Sequence, residues 1–390
     1  MSFTVFMPTK WIFGTGALDE LGKQTLPGKR ALLVTSGGRS AKESGALDRV
    51  QAQLAQAGAE YVLFDRVEAN PLKTTVMAGA AFAREQSCDF VVALGGGSVM
   101  DASKAIASMA TNSGDLWDYV MGGSGKGTVL TEQPLPVVAI TTTAGTGSEV
   151  DQFGVISNDE TCEKIGFGGY DSLFPVLSIV DPALMATVPP QLTAFQGFDA
   201  LFHSTEAYIS KSANLFSDMV ALTAIENVAN NLAAAVQDGA NMEAREKVAF
   251  ANTLSGYSMV TGSCTSEHSL EHAMSAYHHN LPHGAGLIMI SKAYYQHFID
   301  QHVCDERFIK MAQAMGMPEA NKAQDFITML EKLQTDCGVN HLKMSDYGII
   351  KDEFAVLTKN ARATMGVLFD ADPAPLSDED CVRIFERSYR

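Results

Sequence analysis

The sequence predicts two domains of different class: an α/β domain with a mostly parallel sheet and Rossmann-like nucleotide binding, then an all-helical domain. Three observations carry this. Through the first half, short apolar runs alternate with helical patterns. Three of those runs end in turns rich in glycine and hydroxyl side chains. After Val188-Pro189-Pro190 only helical spacing of apolar residues remains. Strands alternating with helices imply a parallel sheet covered on both faces. A chain of 390 residues also exceeds one ordinary core. The boundary is placed at the proline pair, giving an α/β domain over 1–187 and an all-helical domain over 188–390, the latter the candidate for the metal and substrate residues taken up below.

Taken in order, Arg30–Thr35 is a buried-strand run followed by Ser36-Gly37-Gly38-Arg39-Ser40. Glu60–Phe64 is the second run. Asp89–Leu94 is the third and leads into Gly95-Gly96-Gly97-Ser98. Pro136–Ile140 is the fourth and ends in Thr141-Thr142-Thr143-Ala144-Gly145-Thr146-Gly147-Ser148-Glu149. Gly45–Ala57 and Lys73–Glu85 read as helices between them. Beyond the proline pair, Leu192–Ile209, Leu215–Val236, Ala244–Met259 and Asp325–Leu333 have helical periodicity. There is no internal repeat.

The formal charge of −17 argues against nucleic acid and anionic membrane surfaces as partners and leaves small molecules. The six cysteines include no C-x-x-C pair and read as reduced thiols of a cytoplasmic protein. Met1–Leu18 lacks a long apolar run behind a basic start, so it does not read as a secretory signal. No apolar stretch is expected to reach the ~20 residues of a membrane helix.

In open α/β sheets ligands bind beyond the carboxyl ends of the strands, where all three turns fall. Gly96, Gly97, Ser98 and Asp101 follow a strand and open a helix, so backbone N–H groups there can receive a pyrophosphate. The pattern is not G-x-G-x-x-G, and alone it would be an ordinary capped turn. Thr142, Thr143 and Thr146 in the second loop add hydroxyls suited to phosphate and ribose, and two such loops favour a dinucleotide. The first turn has no acid to hold a ribose 2′-OH. Gly37, Gly38 and Ser40, with Arg39 as charge partner, would instead accept a 2′-phosphate. NADP is therefore expected over NAD, against the plain alternative of a solvated arginine.

Five of the nine histidines lie between Glu267 and Gly284. His268 and His272 are four residues apart and share a helix face. Asn280–Gly284 reads as a loop that returns His283 towards that face. Asp199 and His203 make a second pair at helical spacing. One carboxylate with three imidazoles suits a borderline divalent ion such as Fe²⁺ or Zn²⁺, with no cysteine involved.

These motifs resemble the iron-containing (group III) alcohol dehydrogenase family. Gly95-Gly96-Gly97-Ser98-x-x-Asp101, Thr142 to Glu149, Asp199-x-x-x-His203, and His268-x-x-x-His272 followed by Pro282-His283-Gly284 occur in the family's order across most of the chain. The resemblance implies the dehydroquinate synthase-like architecture of that family. It implies Asp199, His203, His268 and His283 as ligands of Fe²⁺, or of Zn²⁺ or another divalent metal. It places catalytic His272 beside the nicotinamide and Lys164 near the nicotinamide ribose. A homodimer or higher homo-oligomer is expected with it. The spacing from His272 to His283 is one residue longer than in some members, which makes His279 a competitor for His283. The missing acid after the first strand resembles the NADP-using branch.

The expected reaction is hydride transfer between a small alcohol or aldehyde and the nicotinamide, with the metal as Lewis acid and His272 relaying the proton. Phe153, Phe198 and Phe202 suggest an aliphatic substrate. Three rivals compete. His268-Ser269-Leu270-Glu271-His272 matches the H-x-x-E-H zinc-protease pattern, with Glu271 as general base. A polyol dehydrogenase or a metal-dependent cyclase of the dehydroquinate-synthase type would share the fold. A non-catalytic NADP-binding protein would carry a degenerate metal site.

Overall fold

The computed structural model describes residues 2–390. Residues 6–187 form one compact unit; residues 2–5 and 188–390 form the other.

The first unit contains a six-stranded parallel sheet. Its strands are β1 (Lys10–Phe13), β2 (Arg30–Ser36), β3 (Glu60–Val67), β4 (Phe90–Gly95), β5 (Val137–Thr141) and, after a separate hairpin, β8 (Leu177–Val180). The order is β1-β8-β5-β4-β2-β3. Chain progress reverses direction between β2 and β4, whose register pairs Val34 with Ala93. That is the switch point at which a crevice opens beyond the strand ends. The turn after β2 and the glycine turn after β4 therefore lie side by side there. The strands are near-continuous apolar runs because both sheet faces are covered: Ala31 to Val34, Phe90 to Leu94 and Val137 to Ile140 are all buried.

Helices α1 (Ser40–Glu43), α2 (Ala46–Gln56), α3 (Lys73–Glu85), α4 (Gly97–Thr111) and α5 (Leu116–Tyr119) connect the strands. The antiparallel hairpin of β6 (Phe153–Asn158) and β7 (Glu163–Gly168) is a separate two-stranded sheet. Strands β1, β6, β7 and β8 were not expected from the sequence. They are four to six residues long, and β6 and β7 interrupt their apolar residues with Gly154, Ser157, Lys164 and Gly166.

The second unit is helical, with no strand among the described residues. It begins with α6 (Pro190–Ile209), α7 (Leu215–Gln237), α8 (Met242–Gly262), α9 (Ser266–Tyr277) and α10 (His283–Asp300). It continues with α11 (Asp305–Ala314), α12 (Gln324–Asp336), α13 (Phe354–Met365), α14 (Val367–Asp370) and α15 (Asp378–Ser388). Pro190 at the first turn of α6 satisfies the usual N-terminal preference for proline. Asn214 caps α7 by accepting from Phe216 and Ser217 backbone N–H groups. Helix α7 is long and apolar enough to cross a membrane, contrary to the expectation above. Its Leu232 packs where Gly197 of α6 leaves room, as expected of a bundle helix.

One element differs from the sequence reading in a way that matters for the site. His283 and Gly284 are not in a loop; they open α10. Gly284 is needed for close approach, because a Cβ there would strike the backbone of Phe195 in α6. The approach brings the start of α10 against the helix that carries Asp199.

Candidate metal centre and nucleotide loops

Three helices of the second unit bring four side chains together. Asp199 and His203 lie one turn apart on α6, His268 is on α9, and His283 starts α10. Asp199 Oδ1 is 3.7 Å from His203 Nε2, 3.5 Å from His268 Nε2 and 3.4 Å from His283 Nε2. The rings of His203 and His268 stack with centroids 4.5 Å apart. Ligand atoms around a tetrahedral ion with bonds of ~2.1 Å sit about 3.4 Å from one another. The distances from Asp199 Oδ1 are of that size; ligand atoms of Asp199, His268 and His283 lie within 4.8 Å of one another, and His203 groups with His268 in the same way.

Asp199 Oδ1 and His268 Nε2 are buried without hydrogen-bond partners, although a buried polar atom is normally satisfied. These groups also shift one another's protonation strongly. Burial alone would raise Asp199, but His203 and His283 hold its carboxyl well below the usual range. Burial pushes His203 down to about 4. Burial would also lower His268, but Glu206 and Asp199 hold it up at about 10. A divalent ion at the shared point would serve Asp199 and the Nε2 lone pairs together.

His272 is buried beside this group, its ring centroid 5.2 Å from that of His283 and 6.2 Å from that of His268. His279 is exposed at the end of the turn after α9, and it does not compete with His283. Cys264, by contrast, has a sulfur within 4.8 Å of ligand atoms of His203 and His268, a neighbour the sequence reading did not include. Phe198 and Phe202 are fully buried and pack on each other, with Phe202 against Tyr295. They are core, and of the three suggested phenylalanines only Phe153 is exposed.

Two carboxylates that the sequence reading did not place in the metal group complete it. Glu206 contacts His268 Nδ1, and Glu271 contacts His283 Nδ1. Both are fully buried. Glu271 is thus engaged with a histidine and is not placed to act as the solvent-side general base of the H-x-x-E-H rival. Glu206 had a faint sequence signal, a carboxylate seven residues after Asp199 on the same apolar helix.

In the first unit the two glycine loops interlock. A Cβ on Gly96 would meet Thr143 Cγ2 at 2.7 Å, and one on Gly97 would collide with Thr146. Thr142 N–H donates to the Gly95 carbonyl at 3.0 Å. Gly97 and Ser98 form the first turn of α4, whose free N–H groups suit an anion. Thr142, Thr143 and Thr146 are partly exposed beside it.

Asp101 has an internal role. It accepts from Ser148 Oγ at 2.7 Å and from Val155 N–H at 2.9 Å, tying the threonine loop and β6 to α4. Burial raises its carboxyl to about 6, against the pull of Lys104. Lys104 itself is buried and donates to Asp151 at 2.6 Å, Ser148 at 2.8 Å and the Phe153 carbonyl at 2.7 Å. Lys104, Ser148 and Asp151 were missed as a group; a lysine inside an apolar helix was the available signal. Lys164 is buried on β7, opposite Ser157. Gly37, Gly38, Arg39 and Ser40 are all exposed after β2.

The comparisons agree with this architecture. The family described as iron-containing alcohol dehydrogenase matches residues 8–182, and its C-terminal part matches residues 193–389. A 1,3-propanediol dehydrogenase of Klebsiella pneumoniae is 36% identical with all of both chains covered. An NADH-dependent butanol dehydrogenase A of Clostridium acetobutylicum is 31% identical, again over the whole of both. Among solved structures, an archaeal halo-thermophilic alcohol dehydrogenase from a Red Sea brine pool superposes with a TM-score of 0.93 at 35% identity, covering 100% of this chain and 99% of that one.

Proposed function

The chain belongs to the iron-containing alcohol dehydrogenase family, and from that premise we propose how its residues divide the work. It is a metal-dependent alcohol dehydrogenase that moves a hydride between a small alcohol or aldehyde and a nicotinamide cofactor. Asp199, His203, His268 and His283 hold the metal, which is Fe²⁺ or, by the same donor chemistry, Zn²⁺. When bound, the ion supplies Lewis acidity towards an alcohol or carbonyl oxygen. The observation that carries this reading is the buried, unpartnered Asp199 Oδ1 facing three imidazole nitrogens at 3.4–3.7 Å.

His272 exchanges the hydroxyl proton, since imidazole titrates near neutral pH and this ring borders the metal group. Gly96, Gly97, Ser98, Thr142, Thr143 and Thr146 receive the pyrophosphate and ribose. Asp101 acts on the cofactor indirectly by holding Ser148 and Val155, and Lys164 is kept as a ribose contact. Substrates are short-chain alcohols and their aldehydes, in line with the names of the relatives. The six cysteines are free thiols, which supports a reducing, cytoplasmic setting. The protein assembles as a homodimer or higher homo-oligomer, which light scattering would read directly.

NADP(H) is preferred over NAD(H). The loop after β2 is exposed and has no carboxylate, and Asp65 at the end of the adjacent β3 is engaged by Lys42 at 2.8 Å. Several relatives are instead named NADH- or NAD-dependent, so the comparison of cofactors is decisive. Gly37 has ordinary φ, and a Cβ there would meet nothing closer than 3.6 Å. Gly37→Asp is therefore tolerated, and it should move kcat/KM towards NAD by roughly ten- to a hundredfold. Better use of NAD by the unaltered enzyme would overturn the preference. The activity itself is tested by loading the protein with Fe²⁺ or Zn²⁺ and following nicotinamide absorbance with butanol or 1,3-propanediol. Peptidase activity with no such change would overturn the dehydrogenase reading.

A further inference from the structure

A metal ligand that can rotate or switch tautomer is a poor ligand, and His268 and His283 are held against both. The Nδ1 atoms of His268 and His283 each face a fully buried carboxylate, Glu206 and Glu271 respectively. An ionised carboxylate only accepts, so each Nδ1 carries the proton and each Nε2 is directed at Asp199 Oδ1, at 3.5 Å and 3.4 Å.

The two carboxylates are themselves held in different ways. Glu206 Oε2 accepts from Thr265 N–H at 2.6 Å and Thr265 Oγ1 at 3.0 Å. Tyr294 Oη lies 2.8 Å from Thr265 Oγ1. Glu271 lies in a notch left by Gly286 of α10, where a Cβ would stand 2.6 Å from Glu271 Cγ and 2.8 Å from Oε1.

We propose that Glu206 and Glu271 are positioning residues for the metal centre, and that Gly286 is present to seat Glu271 against His283. The inference rests on the assignment of His268 and His283 as ligands. It adds that the ion's affinity is set in large part by two carboxylates that never touch it. Removing such a partner from a ligating histidine ordinarily lowers metal affinity about 10- to 100-fold.

The test uses the full-length protein, stripped with chelator and titrated with Co²⁺ against a chromophoric competitor. Glu206→Gln and Glu271→Gln should each weaken Co²⁺ binding by about 10- to 100-fold, with circular dichroism unchanged. Gly286→Ala should weaken it in the parent protein and have little effect in a Glu271→Ala background, where the notch is already open. A merely structural glycine would lose the same amount in both. Wild-type Co²⁺ affinity in both Gln variants would overturn the proposal. So would a changed Co²⁺ visible band intensity in Glu271→Gln, which would make that residue a direct ligand. Asp199→Ala separates the two levels: if it too binds Co²⁺ normally, the ligand set is wrong. If it alone loses the ion, only the positioning role fails.

Discussion

The two candidate sites are built by opposite means. In the α/β unit the recognising groups are backbone N–H groups and short hydroxyls on turns after strands, and the essential residues are those with nothing to add. In the helical unit the recognising groups are long side chains on α6, α9 and α10, and the glycines serve only to let those helices approach. The backbone site at Gly96 and Gly97 does not tolerate added volume. A side-chain site tolerates neither the loss of one donor nor the withdrawal of the group behind it.

The largest effect should come from the donors. Asp199→Ala or His203→Ala should reduce bound metal from near one per chain to a trace and abolish turnover, because three ligands hold a divalent ion far more weakly than four. Nucleotide binding, followed by cofactor fluorescence, should persist in both variants. A full metal complement in His203→Ala would break the comparison at its root. His272→Ala sharpens it from within the helical unit: metal content should stay at the wild-type value while kcat falls by ~10²–10⁴, the usual worth of a general acid–base group.

The glycines are next. Gly97→Val would drive its side chain into Thr146, so KM for the cofactor should rise steeply while metal content is unchanged. Gly284→Ala would drive its methyl into the Phe195 backbone. It should lose about 1–3 kcal/mol of stability by overpacking and weaken metal binding through His283, leaving cofactor affinity alone. If Gly284→Ala disturbed only the cofactor, the division of labour drawn here would be wrong.

The last effect is on stability alone and concerns pH and a buried acid of the helical unit. Asp372 accepts from Ser266 N–H at 2.9 Å and from Tyr294 OH at 2.7 Å. Burial nevertheless raises its carboxyl to about 6. The folded state therefore binds this proton more tightly than the unfolded chain does. The stability it contributes is complete below the ordinary carboxylate value and is lost as pH rises through about 6. Asp372→Asn should match the wild type near pH 3.5–4 and gain on it by up to about 3 kcal/mol above pH 6. Denaturant unfolding across that range is the measurement, and parallel pH curves for the two proteins would show that Asp372 does not titrate in this window.

Much of this was legible from local pattern. The alternation of apolar runs with helical spacing is a property of consecutive residues, so the strands after Arg30, Glu60, Asp89 and Pro136 and the helices beyond the proline pair could be read directly. Gly96-Gly97-Ser98 and Asp199-x-x-x-His203 are likewise local, because a turn or one helical pitch already brings their members together. What depended on distant partners was not legible. The strand order that puts the β2 and β4 turns side by side, the β6–β7 hairpin held by Asp101 through Val155, and the burial of Phe198 and Phe202 are settled by packing. So is the helical state of His283 and Gly284: Pro282 marks the break, but only the close crossing with α6 makes glycine necessary there. Glu206 and His268 are 62 residues apart in sequence, and no spacing rule links a carboxylate to an imidazole at that range. The sequence by itself determined which chemical groups the protein owns and which neighbours along the chain share a face. The tertiary structure decided which of them meet, because burial of apolar helix faces sets those crossings without regard to distance along the chain.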